Sequence, residues 1–152
     1  MTGSERSAIL GPLYFDASAL GRLYIPSQHS RQMKTDLAGQ VDFRVSDLGV
    51  SELASAVSGL RREGHVSSSN ARNIYRRLLR DIADGVFDRV ELSSKIHRAT
   101  EHRLLETEGI ELRAGDALHL GLALSSNCLC MVTWDRRLAE ACRRAGLMVY
   151  PG

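Results

Sequence analysis

The sequence predicts an α/β layered domain with a mainly parallel sheet. Short strand-like runs alternate with stretches of helical periodicity along the chain. The length of 152 residues favours one domain with a substantial core. Apolar residues make up 43%, which places the chain in the globular range and argues against disorder.

Residues 1–12 contain Gly and Ser and lack the apolar stretch of a signal peptide, so they read as a flexible leader before a domain over 13–150. Leu13 to Phe15 reads as a short buried strand. Asp16 or Ser18 then caps a helix start at Asp16-Ala-Ser-Ala-Leu20. A second short helix is expected over 29–38, and Val41 to Val45 alternates with the period of a strand. The next helix spans about 48–63, with Val50, Leu53, Ala54, Val57 and Leu60 on one apolar stripe and Gly64 as its stop. Ser67 to Asn70 offers caps for a helix over 69–84 that buries Ile74, Leu78 and Ile82 and ends at Gly85. A strand over 87–92 follows, then a helix over 94–107 with Ile96, Leu104 and Leu105 as its core contacts. A helix over 113–125, a strand over 128–134, a helix over 136–145 ending at Gly146, and a short strand over 147–149 complete the pattern.

Four acidic residues stand in unusual places. Asp16 ends the apolar run Leu13-Tyr-Phe15, and Asp135 ends Met131-Val-Thr-Trp134. In parallel α/β sheets, sites form beyond the carboxyl ends of strands. Each could instead serve as a helix cap. Glu52 lies opposite the apolar stripe of its helix, beside Ser51, Ser55, Ala56 and Gly59. That face is either plain surface or one small enough for close approach of a ligand. Asp116 opens Asp116-Ala-Leu-His119-Leu-Gly-Leu-Ala-Leu124, a helix apolar almost all round and therefore buried. A buried Asp needs a partner or a metal. Arg113 is the candidate salt-bridge partner, and His119 reads as a packed or hydrogen-bonding histidine. Isolated carboxylates near an apolar interior are poorly solvated, and several together repel one another. A bound divalent cation removes both problems.

Other features exclude alternatives. No Gly-rich phosphate loop and no Gly-x-Ser-x-Gly elbow is present. Apolar segments are too short to cross a bilayer, and the protein is expected to be cytoplasmic. Cys128, Cys130 and Cys142 lack zinc spacing and read as buried thiols of a reducing compartment. Net charge is only +2, yet eighteen Arg stand against two Lys, a bias that suits RNA phosphate contacts or reflects coding bias. A phosphoacceptor receiver domain needs a Lys late in the sheet, and none follows Lys95.

The four segments together resemble PIN-domain ribonucleases. Leu13-Tyr-Phe-Asp16-Ala-Ser18-Ala-Leu20 is similar to the family's opening motif. Ser51-Glu52-Leu-Ala, Arg113-Ala-Gly-Asp116-Ala-Leu-His-Leu and Thr133-Trp-Asp135-Arg-Arg-Leu are similar to the segments carrying its second, third and fourth acids. The resemblance covers about residues 13–150, and the compact length is most like VapC toxins of type II toxin–antitoxin modules.

The resemblance implies a three-layer α/β/α sandwich with four to five strands. It implies a metal site of Asp16, Glu52, Asp116 and Asp135 holding one or two Mg²⁺ or Mn²⁺ ions, with Ser18 and Thr133 orienting carboxylates or water. The activity implied is endoribonuclease cleavage to 5′-phosphate and 3′-hydroxyl ends. Arg136 and Arg137 adjoin the fourth acid and are the candidate RNA contacts, ahead of Arg72, Arg76, Arg77 and Arg80. The implied partners are a VapB-type antitoxin, an RNA substrate and a second copy in a homodimer, with helices near 20–60 as the antitoxin's docking surface. The alternatives are a PIN ribonuclease of RNA processing that is not a toxin, and an inactive PIN fold used for binding. All four acids are present, which argues against the last.

Overall fold

A computed structural model describes residues 8–152. The first seven residues of the expected leader lie outside the described residues. Of the remainder, Ile9 packs against the core and its carbonyl accepts from Gln40 Nε2, while the Pro12 carbonyl accepts from Leu129 N.

Five strands form one sheet: β1 (Leu13–Phe15), β2 (Phe43–Ser46), β3 (Phe87–Val90), β4 (Cys130–Val132) and β5 (Met148–Tyr150). Their order is β3-β2-β1-β4-β5, and every pairing is parallel. Seven helices connect them: α1 (Ala17–Tyr24), α2 (Gln28–Asp36), α3 (Asp47–Arg62), α4 (Ser68–Ala83), α5 (Ser94–Glu106), α6 (Ala114–Ser125) and α7 (Arg136–Arg144).

Strand alternation divides the interior into two cores. Leu13, Phe15, Cys130 and Val132 face one side, where they meet Leu20, Met33, Leu53 and Leu78 from α1–α4. Tyr14 and Met131 face the other, with Ile96, Leu120 and Leu138 from α5–α7. The predicted three-layer α/β/α arrangement is therefore the observed one, and the strand count is five.

Local signals account for most boundaries. Asp16, Ser46, Ser67, Ser93 and Asp135 cap their helices by accepting from a backbone N–H in the first turn. Gly64, Gly85 and Gly146 follow α3, α4 and α7 with φ of +78°, +80° and +88°, where a side chain would be strained. Gly121 lets α6 approach α5: a Cβ there would stand 3.1 Å from Thr100 Oγ1.

Several expectations need correction. Val41 is not in a strand; it is 70% exposed and precedes Asp42 at φ 62°, so β2 begins at Phe43. Leu105 is not a core contact; it is 85% exposed. At about 100° per residue, it lies nearly opposite Ile96, the residue α5 buries together with Thr100. The strands expected over 87–92 and 128–134 are also shorter, because sheet pairing ends at Val90 and runs only from Cys130 to Val132.

Candidate active site

The sheet order places the site. The chain moves outward from β1 through β2 to β3, then returns to the other side of β1 with β4 and β5. The connections after β1 and β4 leave in opposite directions, and a crevice opens between them at the strands' carboxyl ends. Asp16 follows β1 directly, and Thr133, Trp134 and Asp135 follow β4.

Asp16 is buried, and three donors hold its carboxylate. Ser18 Oγ donates to Oδ1 at 2.6 Å, Ala19 N to Oδ1 at 2.9 Å, and Thr133 Oγ1 to Oδ2 at 2.5 Å. Burial pushes the Asp16 carboxyl above its ordinary range, against the opposing pull of these bonds and of His119. Ser18 and Thr133 also stitch the two strand ends together: Trp134 N donates to Ser18 Oγ, and Asp135 N donates to Thr133 Oγ1.

Asp135 carries out the helix-capping role as well, since its Oδ1 accepts from Arg137 N and Leu138 N. Capping uses one oxygen and leaves the other outside the cap. The capping and functional readings of Asp135 are thus compatible.

Asp116 lies in the first turn of α6. Its Oδ2 is buried with no hydrogen-bond partner, and Arg113 forms no ion pair with it among the described residues. Burial raises the Asp116 carboxyl, and the Asp135 carboxylate raises it further; the Arg113 backbone N–H and His119 oppose this.

Glu52 behaves differently. It lies on the α3 face that the sequence left open between surface and site, and its Oε1 meets His119 Nε2 at 2.5 Å. His119 is buried, and its Nδ1 stands 2.7 Å from Tyr14 Oη. Tyr14 in turn donates to Ser46 Oγ at 2.7 Å, and Ser46 Oγ accepts from Gly49 N. A hydrogen-bonded chain, buried from Ser46 through Tyr14 to His119, therefore ties the partly exposed Glu52 to β1, β2 and α6. Its legible sign in the sequence is His119, read there as a packed or hydrogen-bonding histidine, and it is both; Tyr14, a polar-tipped side chain in an otherwise apolar strand, passed without notice.

Among the described residues, no three His, Cys, Asp or Glu side chains already stand close enough to hold an ion. Glu52 is turned to His119, and one Asp135 oxygen is turned to its own helix. The oxygen-only donor set nonetheless suits a hard divalent cation, and the unpartnered Asp116 Oδ2 offers it a ligand.

Of the candidate RNA contacts, Arg136 is exposed beside Asp135, whereas Arg137 pairs with Glu111 at 3.3 Å. Arg72, Arg76 and Arg80 lie exposed on α4, and Arg77 lies over the Tyr24 ring. The three cysteines are buried and free, with burial pushing Cys130 to about 11 and Cys142 to about 12.

Comparison with known proteins follows the same lines. The model of the PIN domain family matches residues 13–144. VapC20 of Mycobacterium tuberculosis, a sarcin-ricin loop cleaving toxin, has a TM-score of 0.66 at 14% identity, over 85% of this chain and 94% of that one. FitAcB of Neisseria gonorrhoeae has a TM-score of 0.63 at 19% identity, over 91% and 96%. VapBC2 of Rickettsia felis, bound to a DNA fragment from its promoter, has 0.59 at 15%, over 90% and 96%. At these identities the likeness is one of fold. No curated protein sequence matches the chain.

Proposed function

The chain belongs to the PIN-domain family of nucleases, and we propose that it is a divalent-metal-dependent endoribonuclease serving as the toxin of a type II toxin–antitoxin module. The observation that carries the catalytic reading is the Asp116 Oδ2, buried without a partner in a chain whose Asp16 and Asp135 follow the neighbouring strands β1 and β4. An arrangement that costs stability in the isolated chain is expected where a ligand completes it.

Asp16, Asp116 and Asp135 would hold Mg²⁺ or Mn²⁺, one or two ions, and Glu52 would join them on leaving His119. The bound metal supplies a water of lowered pKa and offsets charge on the phosphodiester. The protein's own groups do the rest. Ser18 and Thr133 fix the Asp16 carboxylate, and the Tyr14–His119 pair sets where Glu52 rests. Arg136 holds substrate phosphate at the rim. The products are RNA ends bearing 5′-phosphate and 3′-hydroxyl.

The toxin reading draws support from the toxin and two-component neighbours, which this chain matches over nearly its whole length. It brings with it a cognate antitoxin, a homodimer and action in the cytoplasm. No described helix is long and apolar enough to cross a membrane.

The test is RNA cleavage by purified protein with Mg²⁺ or Mn²⁺, with EDTA, and with Asp16→Asn or Asp116→Asn. Cleavage should require metal and both acids, and its survival in EDTA or in either variant overturns the catalytic reading. Growth arrest on expression, relieved by the product of an adjoining small reading frame, checks the toxin role. Normal growth with intact cleavage favours an RNA-processing enzyme instead.

A further inference from the structure

A cavity of about 480 Å³ adjoins Asp135, and Trp134, Glu140 and Arg143, which have no role in the chemistry above, line it together with Arg136. Trp134 is the sole tryptophan of the chain. Its backbone is fixed at the end of β4, where its N–H donates to Ser18 Oγ at 2.9 Å. Its ring stands edge-on to Tyr150, with centroids 6.0 Å apart at 84°. The Arg22 guanidinium lies over it, 4.6 Å from the centroid. The indole is thus held by a strand end, a second ring and a cation, yet remains half-buried and lines the cavity.

The charges around it are not self-satisfied. Glu140 is engaged by Arg144 at 3.1 Å, which offsets its carboxylate. Arg136 and Arg143 are exposed, and neither side chain makes a hydrogen bond or ion pair among the described residues. A rigid aromatic surface and two unpaired guanidinium groups, set against Asp135, make a specific chemical demand. A simple anion needs no indole, and an apolar ligand needs no arginines. A nucleotide of a single strand presents a flat base and a phosphate together.

We propose that this cavity is a nucleotide subsite: Trp134 stacks one base of single-stranded RNA beside the bond to be cut, and Arg136 and Arg143 hold its adjoining phosphate. The inference rests on the ribonuclease reading and adds to it the side chains that hold one nucleotide next to Asp135. A base inside a duplex is already stacked on its neighbours and does not offer its face to a side chain. Stacking on an aromatic ring is tolerant of base identity, so the subsite selects for single strands more than for sequence.

The sole tryptophan makes the test direct. A labelled mixed-sequence single-stranded RNA is titrated into the Asp16→Asn protein with Mg²⁺, following anisotropy for binding and tryptophan emission for stacking. The RNA should quench emission in step with binding, and a duplex of the same length should not. Trp134→Ala should weaken binding about tenfold while Trp134→Phe retains most of it. Replacing Arg136 and Arg143 together by Ala should weaken binding comparably, and these exposed changes leave the fold intact even if Trp134→Ala does not. In the cleaving protein the same changes should raise KM more than they lower kcat. Binding without a change in emission, equal quenching by the duplex, or unaltered affinity on loss of the two arginines overturns the subsite. Cleavage without quenching counts against the subsite alone; quenching without cleavage by the wild-type protein counts against the ribonuclease reading alone.

Discussion

Replacing Asp116 by Asn should stabilise the metal-free protein and remove its response to metal. The Asp116 Oδ2 is buried without a partner. Holding a charged oxygen there without a partner carries a desolvation cost of about 1–3 kcal/mol that a neutral amide of the same shape largely escapes, and the half-buried position of this side chain favours the lower half of that range. Repulsion from Asp135 adds to the cost, and the neutral amide removes it. Against this stands the loss of an acid from the first turn of α6, worth about 0.3–1 kcal/mol at a helix N-terminus. The balance is a gain of about 1 kcal/mol, or roughly 2–4 °C in Tm for a chain of this size. Metal reverses the order. At ten times its Kd, a bound ion stabilises the wild-type protein by about 1.4 kcal/mol, and the variant, short of a ligand, should gain little. Thermal unfolding followed by circular dichroism, in EDTA and in excess Mg²⁺ or Mn²⁺, reads both effects. A variant less stable than wild type in EDTA would mean that Asp116 is a structural group. An equal rise in Tm for both proteins on adding metal would place the ion elsewhere.

Three further outcomes test the surrounding structure. Tyr14→Phe removes the hydroxyl between Ser46 and His119, leaves a buried ring nitrogen without its partner, and should cost about 1–3 kcal/mol in denaturant unfolding; an unchanged midpoint would show that the buried chain adds nothing. Gly121→Ala sets a Cβ 3.1 Å from Thr100 Oγ1 and 3.7 Å from Ile96 Cγ2, and overpacking of about 1–3 kcal/mol should outweigh a helix-propensity gain of about 1; a raised Tm would refute the close fit of α5 on α6. Asp47 accepts from Arg89 Nε at 2.7 Å and from Leu92 N at 3.0 Å, and these bonds hold its carboxyl below the ordinary range. Its contribution is therefore present above the unfolded carboxylate value and lost as pH falls through the lower folded one. The pair is well exposed, so Asp47→Ala should cost only about 0.5–1 kcal/mol at neutral pH, with the difference closing in strong acid; a gap that persists there would mean that packing and not charge is responsible.

Much of the fold could be read from local signals. The caps at Asp16, Ser67 and Asp135 and the glycine stops at Gly64, Gly85 and Gly146 are properties of short segments, and the helices begin and end at them. The stripe Val50, Leu53 and Val57 is buried as its spacing requires. Leu105 shows the limit of composition without phase: it is apolar, but it lies on the wrong side of α5. The site was legible in the same uneven way. Acids at strand ends announce themselves by following apolar runs, and an acid in an apolar helix stands out by contrast. Glu52 gave no such sign, because what makes it unusual is a histidine 67 positions away.

The sequence by itself determined the alternation of strands and helices, the four acids and the family to which their order belongs. These depend on periodicity and on neighbours along the chain, which a sequence records. Only the tertiary structure decided that β4 lies against β1, so that Asp16 and Asp135 share one crevice and Thr133 bonds across it. Only it turned Glu52 onto His119, left Asp116 Oδ2 without a partner, and set Trp134 beside Arg136 and Arg143. Those pairings are long-range choices, fixed when both faces of the sheet bury their side chains at once.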